Sequence, residues 1–213
     1  MTPTTTAAQA TVTEISDRLS DGSRRLFVVA ATVAAILGAW GPPEGAASFN
    51  LRASAFGWLH PRPAPHGWKL ARLPSDAATF AYPRTWRPIR TDPGTASVAL
   101  LGPGHDIRGY LNSTLRQGAE TLANWPGFRI RHLHEDETRD VRLIASARGL
   151  RFRSGRGSCV IDTYRTSRAR YREVACLVAG ARTSSVIVGA APSKTWAREA
   201  ATIERAIDSF RTD

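Results

Sequence analysis

The chain is poor in cysteine, methionine and lysine: it holds two Cys and one Met, and its only lysines are Lys69 and Lys194. The two cysteines are far apart, which excludes the Cys-x-x-Cys spacing of a redox dithiol. Long hydrophobic runs are as scarce. A single uncharged stretch, Leu26 to Trp40, excludes a multi-pass membrane protein. Heptads are missing, so the chain is not a coiled coil, and 17 Gly in 213 residues exclude a collagen-like chain. There is no Gly-x-Ser-x-Gly turn, no phosphate-cradling glycine loop and no internal repeat. What is present is 42% hydrophobic residues, enough for a core, over a length that fits one domain behind a leading segment.

The net charge is +11, carried almost entirely by arginine. A nucleic-acid binder concentrates its cations on one face to neutralise phosphates. Here they are dispersed from Arg52 to Arg211, which disfavours nucleic acid as a partner. The densest stretch, Arg148 to Arg156, alternates so that Arg151 and Arg153 point to one side of a strand and Leu150 and Phe152 to the other. That is the solvated face of a half-buried strand. Such a basic surface still favours anionic headgroups or wall polymers.

The first 25 residues are polar and end on Ser23-Arg24-Arg25. The uncharged run follows, then Gly41-Pro42-Pro43 and the small residues Gly45, Ala46 and Ala47. Cations ahead of an apolar core and small residues behind it read as a bacterial export signal, with the bulk of the chain outside. Ser23-Arg24-Arg25-Leu26-Phe27-Val28 resembles a twin-arginine translocation signal, although the family's Lys after the aliphatic residue is missing. Two outcomes stay open. Residues 26–41 form a short hydrophobic helix cleaved off near Ala47, or the same helix is retained as a single-pass membrane anchor. No Cys stands close behind the run, which excludes a lipoprotein anchor.

Residues 42–67 are Pro-rich and read as a semi-rigid linker whose aromatics, Phe56 and Trp58 with the adjoining Trp68, could dock on the domain or sit at the bilayer surface. Residues 68–213 form the extracytoplasmic domain. Short β-type segments recur there between Gly, Pro, Asp and Ser clusters: 78–82, 86–90, 97–101, 107–111, 128–134, 141–147, 150–153, 158–164, 171–179 and 185–190. A polar stretch over 113–125 is compatible with a helix. The strongest helix follows Pro192-Ser193, read as its stop and N-cap, where Trp196, Ala200, Ile203, Ile207 and Phe210 make one apolar stripe. Strands with an amphipathic helix laid across them predict an α+β fold, an antiparallel sheet covered by helices.

Phe80-Ala81-Tyr82-Pro83-Arg84-Thr85-Trp86 resembles the opening Phe-x-Tyr-Pro-x-x-Trp hairpin of PsbP-like domains, and Ile207-Asp208-Ser209-Phe210 is similar to their terminal helix. More loosely, the domain resembles uncharacterised exported proteins of actinobacteria. The resemblance implies an α-β-α sandwich outside the cytoplasm that acts as a binding or assembly module. It carries over no cofactor and no ligand set.

Cys159 and Cys176 lie on consecutive predicted strands. With a tight turn centred on Ser167-Arg168, residues whose numbers sum to 335 oppose each other, and these two do. Export makes a disulfide possible, closing a loop for about 3 kcal/mol; otherwise they are two buried thiols. His132 and His134 are the sole cluster of metal-ligand types, falling on one side of a strand if 128–134 is extended. His105 and Asp106 would have to join them for hydrolase or metal chemistry. A polyanion-binding module would need Arg129, Arg131, Arg151, Arg153 and Arg165 on one surface. The leading expectation is a non-enzymatic binding or assembly module of the bacterial cell envelope, its partner an envelope protein or anionic polymer, with the membrane itself engaged through 26–41 if the helix is retained.

Overall fold

The computed structural model describes residues 55–136 and 138–213. The expected export signal, with Arg24, Arg25, Phe27, the 26–41 helix and the Ala47 cleavage position, lies outside the described residues. Among those described, the elements run β1 (Lys69–Arg72), β2 (Ala78–Tyr82), β3 (Arg87–Ile89), β4 (Ala96–Leu101), a 3-10 turn (Pro103–His105), β5 (Ile107–Leu115), α1 (Trp125–Glu135), β6 (Arg139–Arg151), β7 (Arg156–Arg165), β8 (Arg170–Ala179), β9 (Ser184–Pro192), α2 (Trp196–Asp208) and β10 (Arg211–Thr212).

Seven strands form an antiparallel sheet in the order β3-β4-β5-β9-β8-β7-β6, and β1-β2-β10 form a small second sheet. The two faces of the large sheet are covered separately. On one side α2 packs against β9, β5 and β2, burying Ile203, Ala206, Ile207 and Phe210 with Leu111, Val174, Ile187 and the two cysteines. On the other, α1 packs against β6 and β7 with Trp125 and Leu133 buried. The result is an α-β-α sandwich, the layered solution that buries both faces of one sheet.

The period-2 alternation of the central strands places Cys159 and Ile161 in the α2-side core and Val160 and Tyr164 on the α1 side. Each large apolar side chain so buried contributes roughly 1.5–3 kcal/mol. Gly189 on β9 lets α2 settle onto the sheet: a Cβ there would collide with Ile203 Cγ2 and crowd Leu111. Gly149, at φ +70°, sits in a register shift between Ala147 and Leu150. That irregularity lets β6 run through positions the sequence divides into two strands.

Three expectations need correction. Residues 128–134 belong to helix α1 and not to a strand. Its buried stripe is Trp125, Arg129 and Leu133, spaced four apart, with an arginine where an apolar residue would reveal the period. The 113–125 stretch is not a helix: β5 continues to Leu115 and α1 opens only at Trp125. The N-cap of α2 is Thr195, not Ser193, whose amide bonds to Arg170 O at 2.8 Å.

The described part of the Pro-rich segment also packs on the domain. Phe56 is buried in the main core, and Trp58, Leu59 and Trp68 lie against it. The segment is tied to the end of α2: Asp208 Oδ1 accepts the His60 amide at 2.8 Å and Oδ2 accepts Arg62 Nη2 at 3.2 Å. A carboxylate at a helix C-terminus opposes the helix dipole. Burial likewise raises the Asp208 pKa, while the His60 amide and Arg62 pull it back. No described helix is long and apolar enough to cross a membrane.

Candidate functional site: an arginine-lined cleft and a closed charge cluster

Two charged regions are built from different parts of this frame. The first is closed. Asp162 on β7 and Glu173 on β8 are direct cross-strand partners, so both carboxylates face α1. Both are fully buried, at 0% exposure. Like charges placed opposite each other repel. Arg129, 1% exposed, enters between α1 and the sheet and forks onto Glu173, with Nε and Nη2 donating at 2.7 and 2.9 Å. Such a bidentate pair is among the stronger charge-assisted bonds. Burial alone would lower the Arg129 pKa, but Glu173 outweighs it and the guanidinium stays charged.

Asp162 is the odd group in this set. Neither carboxyl oxygen has a hydrogen-bond partner in the protein, and the same holds for Arg129 Nη1 and Tyr164 OH. Burial, then the facing Glu173, push the Asp162 carboxyl well above its ordinary range, with Arg129 pulling the other way. One arginine cannot neutralise two carboxylates, so the arrangement favours the protonated form of Asp162 over the charged one. Burial also raises the Tyr164 hydroxyl. Tyr164 stacks on Tyr171 at 5.8 Å between centroids, and Trp125 Nε1 donates to Ala175 O at 3.0 Å. The cluster has no opening for a substrate; it seats α1 in one orientation.

The second region is open. The end of β6 and the turn after it bring Arg151, Phe152 and Arg153 against Leu59, His60 and Pro61, and a cleft of about 630 Å³ lies between them. The turn is closed by the Phe152 amide bonding to Gly155 O at 2.9 Å. Leu150 and Phe152 pack into the core while Arg151 and Arg153 stay exposed, the alternation expected from sequence. Arg205 of α2 stands alongside. Its Nη2 donates to Pro63 O, and its Nη1, without a hydrogen bond, lies 3.7 Å from Asp208 Oδ2. Burial first, then the neighbouring Arg62 and Arg153 lower the Arg205 pKa, while Asp208 raises it. Arg62 and Arg205 thus meet at the buried Asp208 carboxylate, with Arg153 near enough to act on Arg205.

The residues singled out from sequence distribute as follows. Cys159 and Cys176 are paired in register and joined by a disulfide, with Cα atoms 4.1 Å apart. His132 and His134 sit on α1, where a spacing of two places side chains on nearly opposite sides, so the strand geometry that would have aligned them is gone. His132 stacks on Phe128 and lies 3.6 Å from Asp136; His134 is exposed. His105 and Asp106 are exposed near the 3-10 turn, with Asp106 3.6 Å from Arg108. Among the described residues, no three His, Cys, Asp or Glu converge on a metal-sized site. Of the five arginines proposed to share one surface, Arg129 is buried in its ion pair and Arg165 is engaged by Asp140 at 3.4 Å. The two arginines on Asp208, Arg62 and Arg205, and the cluster residues Asp162 and Glu173 were not foreseen. The alternation of 156–165 and 170–179 placed both acids on an inward face, and that was the available signal.

No family model matches the chain, and no curated protein sequence matches it. Among solved structures, cyanobacterial PsbP (CyanoP) from Synechocystis sp. PCC 6803 is similar over 70% of this chain and 95% of its own, at 13% identity and a TM-score of 0.50. LpqN of Mycobacterium tuberculosis, described as involved in cell envelope biogenesis, aligns over 71% of this chain and 82% of its own, at 12% identity and a TM-score of 0.36, too distant to carry an argument. At such identities the likeness to CyanoP concerns fold alone: this chain has a PsbP-like α-β-α sandwich.

Proposed function

We propose that this protein is an exported, extracytoplasmic binding or assembly module of the bacterial envelope, and not an enzyme. The observation that carries the reading is the Cys159–Cys176 disulfide, fully buried between β7 and β8. Structural disulfides persist in oxidising compartments and are rare in the cytosol. The Arg24-Arg25 motif and the apolar run from Leu26 to Trp40 supply the export route, by twin-arginine transport or a related path. The run acts either as a signal cleaved near Ala47 or as a retained anchor.

The open cleft fits binding better than turnover. Arginine stays protonated throughout the working pH range and cannot serve as a general acid or base. Its forks hold oxyanions. A fusion of alkaline phosphatase behind Asp213 tests the compartment, since that reporter matures only outside the cytoplasm. Active reporter is expected; inactive reporter retained with cytosolic markers contradicts the reading. The mass of the mature N-terminus then separates cleaved signal from anchor.

A further inference from the structure

We propose that α1 is a proton-controlled cover: it lies closed over the sheet while the facing Asp162 and Glu173 carry one negative charge between them, and it lifts when Asp162 releases its proton. The inference goes beyond the reading of the domain as a binding module and does not depend on it. Three observations of geometry carry it. First, the two carboxylates cannot retreat from each other. Asp162 and Glu173 are direct partners in a ladder that runs from the Arg156–Ala179 pair to the Arg165–Arg170 pair without a register shift. The Cys159–Cys176 bridge ties the same two strands three rungs away.

Second, the site holds one cation for two acids. Arg129 of α1 spends its fork on Glu173, at 2.7 and 2.9 Å, and neither Asp162 oxygen finds a donor in the protein. The surrounding elements bring no second cation. Tyr164 of β7 feels both carboxylates and stacks on Tyr171 of β8, while Tyr110 of β5 feels Glu173. β6 sets Leu143 opposite Asp162. On α1 itself, His132 lies 3.8 Å from Glu135 and 3.6 Å from Asp136. Third, α1 is the part able to move. It belongs to no ladder and has eleven residues, short of the length at which a helix holds by itself. Pro126 and Gly127 occupy its first turn, and Asn124 supplies no side-chain cap.

The direction follows from the charges. With α1 closed, burial and Glu173 favour the proton on Asp162; with α1 lifted, water reaches the carboxyl and the preference is lost. Opening therefore releases a proton above the ordinary aspartate pKa of about 4. The open fraction rises by up to about tenfold per pH unit until the closed form itself ionises.

The test is hydrogen exchange of the full chain from pH 5 to 8, read by mass spectrometry with each rate divided by its intrinsic rate at that pH. Peptides covering Trp125–Glu135 report the cover, and peptides covering Ser184–Pro192 report opening of the whole sheet. In wild type, α1 protection is expected to fall by about tenfold or more between pH 5 and 7 while β9 protection holds. Asp162→Asn cannot ionise and is expected to keep α1 protection constant. Glu173→Gln leaves one carboxylate for one arginine and is expected to flatten the slope as well. Constant α1 protection in wild type overturns the inference. So does a loss from α1 and β9 in step, which is unfolding of the whole domain, or a wild-type slope in Asp162→Asn. Should either variant fail to fold, the wild-type slope of α1 against β9 decides alone.

Discussion

The two faces of the seven-stranded sheet are held by opposite chemistry. The α2 face is apolar and cross-linked: Ile203, Ile207 and Phe210 pack on Leu111, Val174 and Ile187 beside the Cys159–Cys176 bridge. The α1 face buries Arg129, Glu173 and Asp162 beneath a helix of eleven residues. The difference teaches that burial alone does not set what a contact contributes. Apolar area on the α2 side stabilises in proportion to its extent. On the α1 side the desolvation of three ionisable groups offsets much of the attraction between them, and what the cluster supplies is a single seating for α1.

The comparison can be broken most forcefully at Arg129. Arg129→Met leaves Glu173 unpaired beside Asp162, and a loss of about 3–5 kcal/mol is expected in chemical denaturation. Replacing all three charged groups together, as Arg129→Met with Asp162→Asn and Glu173→Gln, is expected to recover part of that loss. If the single substitution is silent, the cluster does not hold the helix.

The apolar face gives a similar effect by another route. Phe210→Ala opens a cavity under α2 and is expected to cost about 3–5 kcal/mol, without the pH dependence of the α1 face. Removal of the disulfide as Cys159→Ala with Cys176→Ala is expected to cost about 2–4 kcal/mol, read as a drop in Tm matched by adding reductant to the unfolding buffer. Equal stability of the reduced and oxidised protein contradicts a structural role for the bridge.

A smaller effect sharpens the electrostatic side. Asp162 has a folded pKa above its unfolded value, so its folded state holds the proton more tightly. Stability from this group is present below the unfolded pKa of about 4 and is lost as pH rises toward the folded value. Asp162→Asn removes that loss. The variant is expected to gain stability relative to wild type as pH is raised from 4 to 7; a constant difference across that range contradicts a protonated Asp162. At the exposed rim, Asp140→Ala frees Arg165 and Arg170 and is expected to change stability by less than about 1 kcal/mol.

The same contrast explains what the sequence made legible. The α2 face was readable because its signals are apolar and periodic: the Trp196 to Phe210 stripe gave the helix, and the turn at Ser167-Arg168 gave the cysteine register. The α1 face was not. A helix whose buried stripe runs Trp125, Arg129, Leu133 hides its period behind an arginine, and Phe128 to His134 also alternates well enough to pass for a strand. The layered fold was therefore legible, while the helix that completes it was missed. The cleft escaped for a different reason. Arg151 and Arg153 were correctly placed on an outward face, but Leu59, His60 and Pro61 complete the cleft only through the fold, from positions about 90 residues away. Periodicity reports which way a residue points along one element and cannot report which distant element it meets.

The central claim is that this domain works outside the cytoplasm with its sheet cross-linked. It is tested most directly by acid-quenching intact cells that express the full chain, denaturing in excess alkylating agent without reductant, and weighing the peptides that hold Cys159 and Cys176. The account predicts that these peptides stay joined, unalkylated until reductant is added. Two separately alkylated thiols recovered without reduction would contradict it.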